Sequence, residues 1–223
     1  MGASRGLSGT KSSRQPTCAR LVVKVILCGA IRWAAPAGVL LLPTAPFAFL
    51  SGCTAASSDP ATKPLLIVGS QGLSPGKLYH PRAVAVDAKT GRFYVVDRSG
   101  RIQLFEAQGK LALEWHLPEH ALGQPVGLAI EADGSLLVND SHYHRILRYA
   151  SDGSSILARW GTEGTGPGQL TFGRDVVVDS KGFIYAGDYG GLNDRILKFS
   201  HDGAFLLAWG GVGEEPGKFQ RPQ

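Results

Sequence analysis

The chain has 223 residues, of which 43% are hydrophobic and 18% charged, so it is not a wholly disordered polymer. Its 30 glycines follow no G-X-Y period, which excludes collagen and points to many tight turns. The formal charge of +5 comes from the first 53 residues, which hold six Lys or Arg and no acid; the other 17 basic and 18 acidic side chains nearly cancel, which argues against nucleic acid as a partner.

All three cysteines, Cys18, Cys28 and Cys53, fall in that basic leader. Beyond it there is no disulfide framework, cysteine-based zinc site or cysteine nucleophile. Residues 33–50 carry no charge and are broken by Pro36, Pro43 and Pro46. A basic start, an apolar run and small residues at its end form a secretory signal. Leu50-Ser51-Gly52-Cys53 resembles a bacterial lipobox. That resemblance implies removal of residues 1–53 as a signal peptide up to the cysteine, and acylation of the Cys53 thiol with diacylglycerol. The expected location is then the bacterial cell envelope, lipid-anchored, in the outer membrane where the host has one, with the domain extracytoplasmic. The alternative is a retained membrane-crossing segment, for which 18 uncharged residues are just long enough. The 32-residue basic start is long for such a signal and suggests a later start codon. Residues 54–64 (TAASSDPATKP) read as a flexible tether.

From residue 65 the chain repeats itself. Copies run over 75–116, 124–161 and 167–210, and a fourth opens as PGKFQRPQ at 216–223. Asp87, Glu131 and Asp179 recur at steps of 44 and 48 residues, and Trp115, Trp160 and Trp209 at steps of 45 and 49. Each copy has four short apolar runs; in the third they are 176–178, 183–186, 195–199 and 205–209. Asp133-Gly134, Asp152-Gly153 and Asp202-Gly203 separate such runs as hairpin turns. Four antiparallel strands per 40–50 residues make one propeller blade.

The copies resemble NHL repeats. The resemblance rests on 83–87, 94–97, 140–146 and 193–196, and covers roughly 65–223. The triplet that names the family is degraded: Ser99-Gly100-Arg101 in copy one, Tyr143-His144-Arg145 in copy two, Asn193-Asp194-Arg195 in copy three. The expected fold is all-β, an NHL-type β-propeller of about three four-stranded blades (65–118, 119–163, 164–212) plus the start of a fourth (213–223), part of a six-bladed ring. Leu65–Gly69 aligns with the last strand of a blade, like 206–210. Three blades do not close a ring, so the chain reads as truncated after Gln223, or as half of a homodimer if it is complete.

Recurring residues are expected to be scaffold. Asp97, Asp140 and Asp188 would cap the turn that follows them, Arg101, Arg145 and Arg195 would tie blades together, and Trp115, Trp160 and Trp209 would fill inter-blade core. Binding should use positions where the copies differ. The connections into strand one and between strands two and three share one rim. That rim collects the ligand-binding candidates Arg82, Arg98, His142, Tyr143, Arg174 and Tyr189, with Arg82 and Arg174 starting the innermost strands. His142 and His144 could share a metal, but a third ligand has no identified position, so no metal or cofactor is expected.

No Ser-His-Asp signature or phosphate loop is present. The first functional expectation is a non-catalytic module that binds a protein, glycan or small-molecule ligand, its arginines suiting a carboxylate. The second is a propeller lyase or hydrolase, amidating-lyase-like or streptogramin-lyase-like, with a site completed by further blades. The resemblance to the amidating lyase implies zinc histidines just after the proline before strand one. Arg82, Val126 and Arg174 stand there instead, so catalysis is less expected than binding.

Overall fold

The computed structural model describes residues 64–223 apart from 124, 191, 192 and 223, so the leader, Cys53 and residues 54–63 of the tether lie outside the described residues. Twelve strands form three sheets. The first blade holds β1 (Pro81–Val86), β2 (Phe93–Asp97), β3 (Arg101–Phe105) and β4 (Leu111–His116). The second holds β5 (Pro125–Ile130), β6 (Leu136–Asp140), β7 (Arg145–Tyr149) and β8 (Ile156–Trp160). The third holds β9 (Phe172–Val178), β10 (Ile184–Tyr189), β11 (Arg195–Phe199) and β12 (Phe205–Gly210). Each sheet is an antiparallel meander in chain order, as the repeat implied.

Strand bounds differ from the apolar runs in one instructive way. β9 begins at Phe172 rather than Val176, and β10 runs on to Tyr189. A bulge between Ala186 and Asp188 lets the two strands keep pairing through Gly173 and Phe172, which apolar content alone does not mark.

The middle blade is buried on both faces. Leu136, Val138 and Leu147 pack with Ile102 and Leu104 of the first blade. Leu137 and Ile146 pack with Val176, Leu197 and Phe199 of the third. That is why β6 reads as a continuous apolar run rather than an alternation. β1, β5 and β9 are the innermost strands and lie side by side. Gly127 makes this approach possible: a Cβ there would stand 2.7 Å from the Arg174 carbonyl oxygen.

The Asp-Gly turns also join the blades. Gly153 and Gly203 have φ of +68° and +87° and donate to the Ala150 and Ser200 carbonyls at 2.8 and 3.0 Å. A register shift follows inside each hairpin, the pattern of a type I turn closed by a left-handed glycine. Each glycine also meets a tryptophan of the preceding blade. A Cβ would come within 2.5 Å of Trp115 at Gly153, and within 2.8 Å of Trp160 at Gly203. Trp115 and Trp160 thus fill inter-blade core. Trp209 does not: it is 42% exposed, and among the described residues no sheet lies over it. Its ring still meets Tyr185 at 6.2 Å and 78°, the geometry of Tyr94 on Trp115 at 6.2 Å and 79°. Val68 takes the tryptophan's place at the first blade, 2.6 Å from a Cβ built on Gly109, although Leu65–Gly69 forms no strand.

Candidate functional site

The recurring charges are consumed by the scaffold. Arg101, 2% exposed, donates to the Asp97 carboxylate at 2.9 Å and to the carbonyls of Leu73 and Lys77. Arg195 does the same in the third blade, to Asp188 at 3.2 Å, Thr165 O at 2.6 Å and Gln169 O at 2.8 Å. Both guanidinium groups pin the Pro-Gly loop that leads into the innermost strand, which joins each blade to what precedes it. Asp188 accepts from the Thr171 and Phe172 amides at 2.8 and 2.9 Å and from Asn193 Nδ2 at 3.2 Å, so it holds the incoming loop and, through a side chain, the turn after it. Asp97 caps both, through Tyr79 N and Ser99 N. Asp140 caps neither; among the described residues its side chain bonds Arg145 alone, and Oδ1 has no partner. Burial outweighs Arg145 and pushes the Asp140 carboxyl above its ordinary pKa. Burial likewise raises Asp188, against the amides and Arg195 that lower it.

What the scaffold leaves over gathers between β1, β5 and β9. A groove of about 520 Å³ runs along these strands, its walls formed by Val84, Val126, Leu128 and Val176, with Arg82 and Arg174 at its lining. Asp175 also lines it; its Oδ1 accepts from the Val176 amide at 2.9 Å, and burial raises its pKa.

Of the six rim residues expected from sequence, three come together. The Arg174 guanidinium carbon lies 5.1 Å from the Tyr189 ring centroid. Tyr189 meets Phe172 at 5.8 Å, and Phe172 meets His142 at 6.2 Å. Arg82 shares the groove with Arg174 from the far innermost strand. Arg98 is exposed, and its amide donates to Tyr79 O at 3.0 Å; no ring or ion-pair contact connects it to the others among the described residues. Tyr143 faces the scaffold: Arg145 sits 4.7 Å over its ring, and its hydroxyl accepts from Leu122 N at 3.3 Å.

Three residues of the cluster lie outside the six rim candidates. Phe172 is its hub. Arg221 lies 5.2 Å from the Tyr189 centroid. His144 meets Phe172 at 6.0 Å while its Nδ1 donates to Thr171 O at 2.6 Å, which fixes the orientation of the ring. A positional signal existed for two of them. Phe172 and Arg221 stand where the first copy has His80, at the entrance to the innermost strand, and the copies disagree there. His80 and Arg221 share a left-handed backbone, φ 50° and 54°.

No family model matches the chain. NHL repeat-containing protein 3 of Mus musculus is 31% identical over 156 residues, covering 62% of this chain and 44% of that protein. These are NHL repeats. Peptidylglycine alpha-amidating monooxygenase of Rattus norvegicus is 33% identical to 107 residues, 44% of this chain and 11% of that protein. The chain thus spans less than half the length of these NHL-type relatives. A solved structure of a protein of unknown function from Bacteroides caccae overlaps 57% of this chain and 44% of its own, at 18% identity and TM-score 0.43.

A zinc site of the amidating-lyase type does not fit the NHL blades described. The innermost-strand positions that would hold its histidines carry Arg82, Val126 and Arg174, and the described residues hold no cluster of three His, Cys, Asp or Glu placed for a metal.

Proposed function

We propose that this chain is a non-catalytic NHL propeller module, anchored outside the cytoplasm through lipid on Cys53, that binds a protein, glycan or small-molecule ligand in the groove between its innermost strands. One observation supports the binding reading above others. The recurring Asp–Arg pairs are spent on holding loops, whereas Arg82, Val126 and Arg174 at the groove and Tyr189 beside it stand at positions where the copies differ. A concave groove that offers backbone polar groups and two arginines beside a few aliphatic side chains can take a ligand with polar groups.

The test is a small-molecule fragment screen followed by amide chemical shifts. Hits that perturb Val126, Leu128 and Val176, and are lost in Val126→Trp, support the groove. Hits that leave those amides unmoved overturn it. The anchor has its own test: an alkyne fatty acid fed to the source cells should label the protein and not Cys53→Ser.

The lyase or hydrolase reading draws on the rat relative, whose printed name is that of an amidating enzyme. It needs a catalytic set supplied outside the described blades, because the matching positions here are not metal ligands. Turnover of a peptidyl-hydroxyglycine or an ester by the protein would replace the binding reading.

A further inference from the structure

The rim cluster has a chemistry of its own, and the following rests on the groove being a binding site. Arg174 and Arg221 both lie against one ring, Tyr189, at 5.1 and 5.2 Å. They reach it from different elements: Arg174 from β9, Arg221 from the segment after β12. Arg221 is held there by its own backbone, whose amide donates to the Asp194 carboxylate in a left-handed conformation. A guanidinium stacked on an aromatic face uses its π surface and leaves its in-plane N–H donors facing outward.

Those donors are not neutralised. No carboxylate lies within salt-bridge distance of either arginine among the described residues, whereas Arg101, Arg145, Arg148 and Arg195 all have one. The nearby acids are engaged elsewhere. Asp188 holds the Thr171 and Phe172 amides and Arg195, Asp194 holds the Gly190 and Arg221 amides, and Asp175 holds its neighbour's amide. Phe172, 36% exposed, extends the aromatic surface beside Tyr189.

The arrangement is not part of the repeat. The place of Tyr189 is taken by Arg98 in copy one and Ser141 in copy two, that of Arg174 by Arg82 and Val126, and that of Arg221 by His80. Scaffold constraint therefore does not explain the cluster.

We propose that Arg174, Tyr189 and Arg221 form a clamp for a carboxylate carried on an apolar or aromatic body, the carboxylate meeting the guanidinium edges and the body lying on Phe172 and the groove wall. A planar carboxylate matches the guanidinium fork with two parallel bonds, and the exposed Phe172 ring beside Tyr189 offers the apolar body a face.

The probes are 3-phenylpropanoate, its primary amide, acetate, and a pentapeptide ending in Phe with a free or amidated terminus, each titrated calorimetrically. The acid should bind about tenfold tighter than its amide, the change that one charge-assisted hydrogen bond of ~1.5 kcal/mol represents. Acetate should bind more weakly than 3-phenylpropanoate. Arg174→Gln and Arg221→Gln should each erase the preference for acid over amide. Arg174→Lys, which keeps the charge and loses the fork, should erase most of it. Circular dichroism of each variant guards against misfolding. Tighter binding of the free-ended pentapeptide assigns the carboxylate to a chain terminus, and tighter binding of phenylpropanoate to a small acid; both support the clamp. Equal binding of acid and amide, still abolished by Val126→Trp, overturns the clamp and leaves the groove standing. No binding of any probe overturns the clamp as well.

Discussion

The loop into the third blade and the loop into the second do the same job with different means. In the third, Arg195 bonds Asp188 and two backbone carbonyls, Thr165 and Gln169. The first blade repeats this with Arg101, which also meets the Glu114 carboxylate at 3.4 Å. In the second, no Pro-Gly loop precedes β5, and Arg145 reaches instead to the side chain of Glu119, which is half exposed. Among the described residues, its Nη2 and the Asp140 Oδ1 are left buried without partners. The Asp–Arg pair is thus the constant element of these three blades, and what it grips varies among them. A clamp on carbonyls is independent of pH. A clamp on a carboxylate is not.

The largest effect should come from Arg101→Ala. Both members of the Arg101–Asp97 pair are buried, and losing one partner of such a pair costs about 3–5 kcal/mol. Asp97 keeps the Tyr79 and Ser99 amides, so much of the loss should fall on the loop whose carbonyls Arg101 gripped. Hydrogen exchange should rise first over residues 70–78; a rise spread evenly over the first blade would mean that the loop is not what Arg101 holds.

These contrasts also mark where sequence reading stops. The blades were legible because their determinants are local: Asp-Gly turns, apolar runs and the recurring Trp each lie within one hairpin. The rim was partly legible, since a meander dictates which loops share a side, and Arg174, Tyr189 and His142 do meet through Phe172. The hub itself was missed because a phenylalanine inside a strand reads as core, while here it is an exposed contact between copies. Glu119 was missed because its pairing with Arg145 spans 26 residues and replaces a backbone contact, which leaves no spacing to detect. Trp209 was placed in core by analogy with Trp115, but burial of a blade face depends on the neighbour that covers it, not on the blade's own sequence.

Next in size is Arg145→Ala, whose cost should depend on pH. Asp140 would lose the two largest influences that hold its pKa down, Arg145's charge and its hydrogen bond, while the burial that raises it stays. Its folded pKa, already above the unfolded value, would then rise further. A raised carboxyl pKa destabilises the fold above the folded value, and the penalty is relieved as pH falls toward the unfolded value. The variant should therefore lose about 3 kcal/mol near pH 7 and recover at roughly 1.4 kcal/mol per pH unit once Asp140 takes up its proton. Arg145→Ala combined with Asp140→Asn should show no such slope. Urea unfolding at pH 4.5, 5.5 and 7 reads both.

The smallest effect belongs to Glu119, and its sign is opposite. The hydrogen bond from Arg145 holds the Glu119 pKa below its ordinary value. A depressed carboxyl stabilises the fold above its unfolded pKa, and that stability is lost as pH falls through the folded value. Glu119→Gln should therefore melt slightly below the unmodified protein at pH 7, and the gap should close in acid, where Glu119 itself is neutral. Exposure keeps the effect small, because solvent and salt screen the pair. Raising the salt concentration at pH 7 should narrow the same gap, while leaving the Arg101→Ala cost nearly unchanged. If salt instead narrowed both gaps equally, the carbonyl clamp and the carboxylate clamp would be one electrostatic device, and the second blade's loop would differ from the others only in sequence.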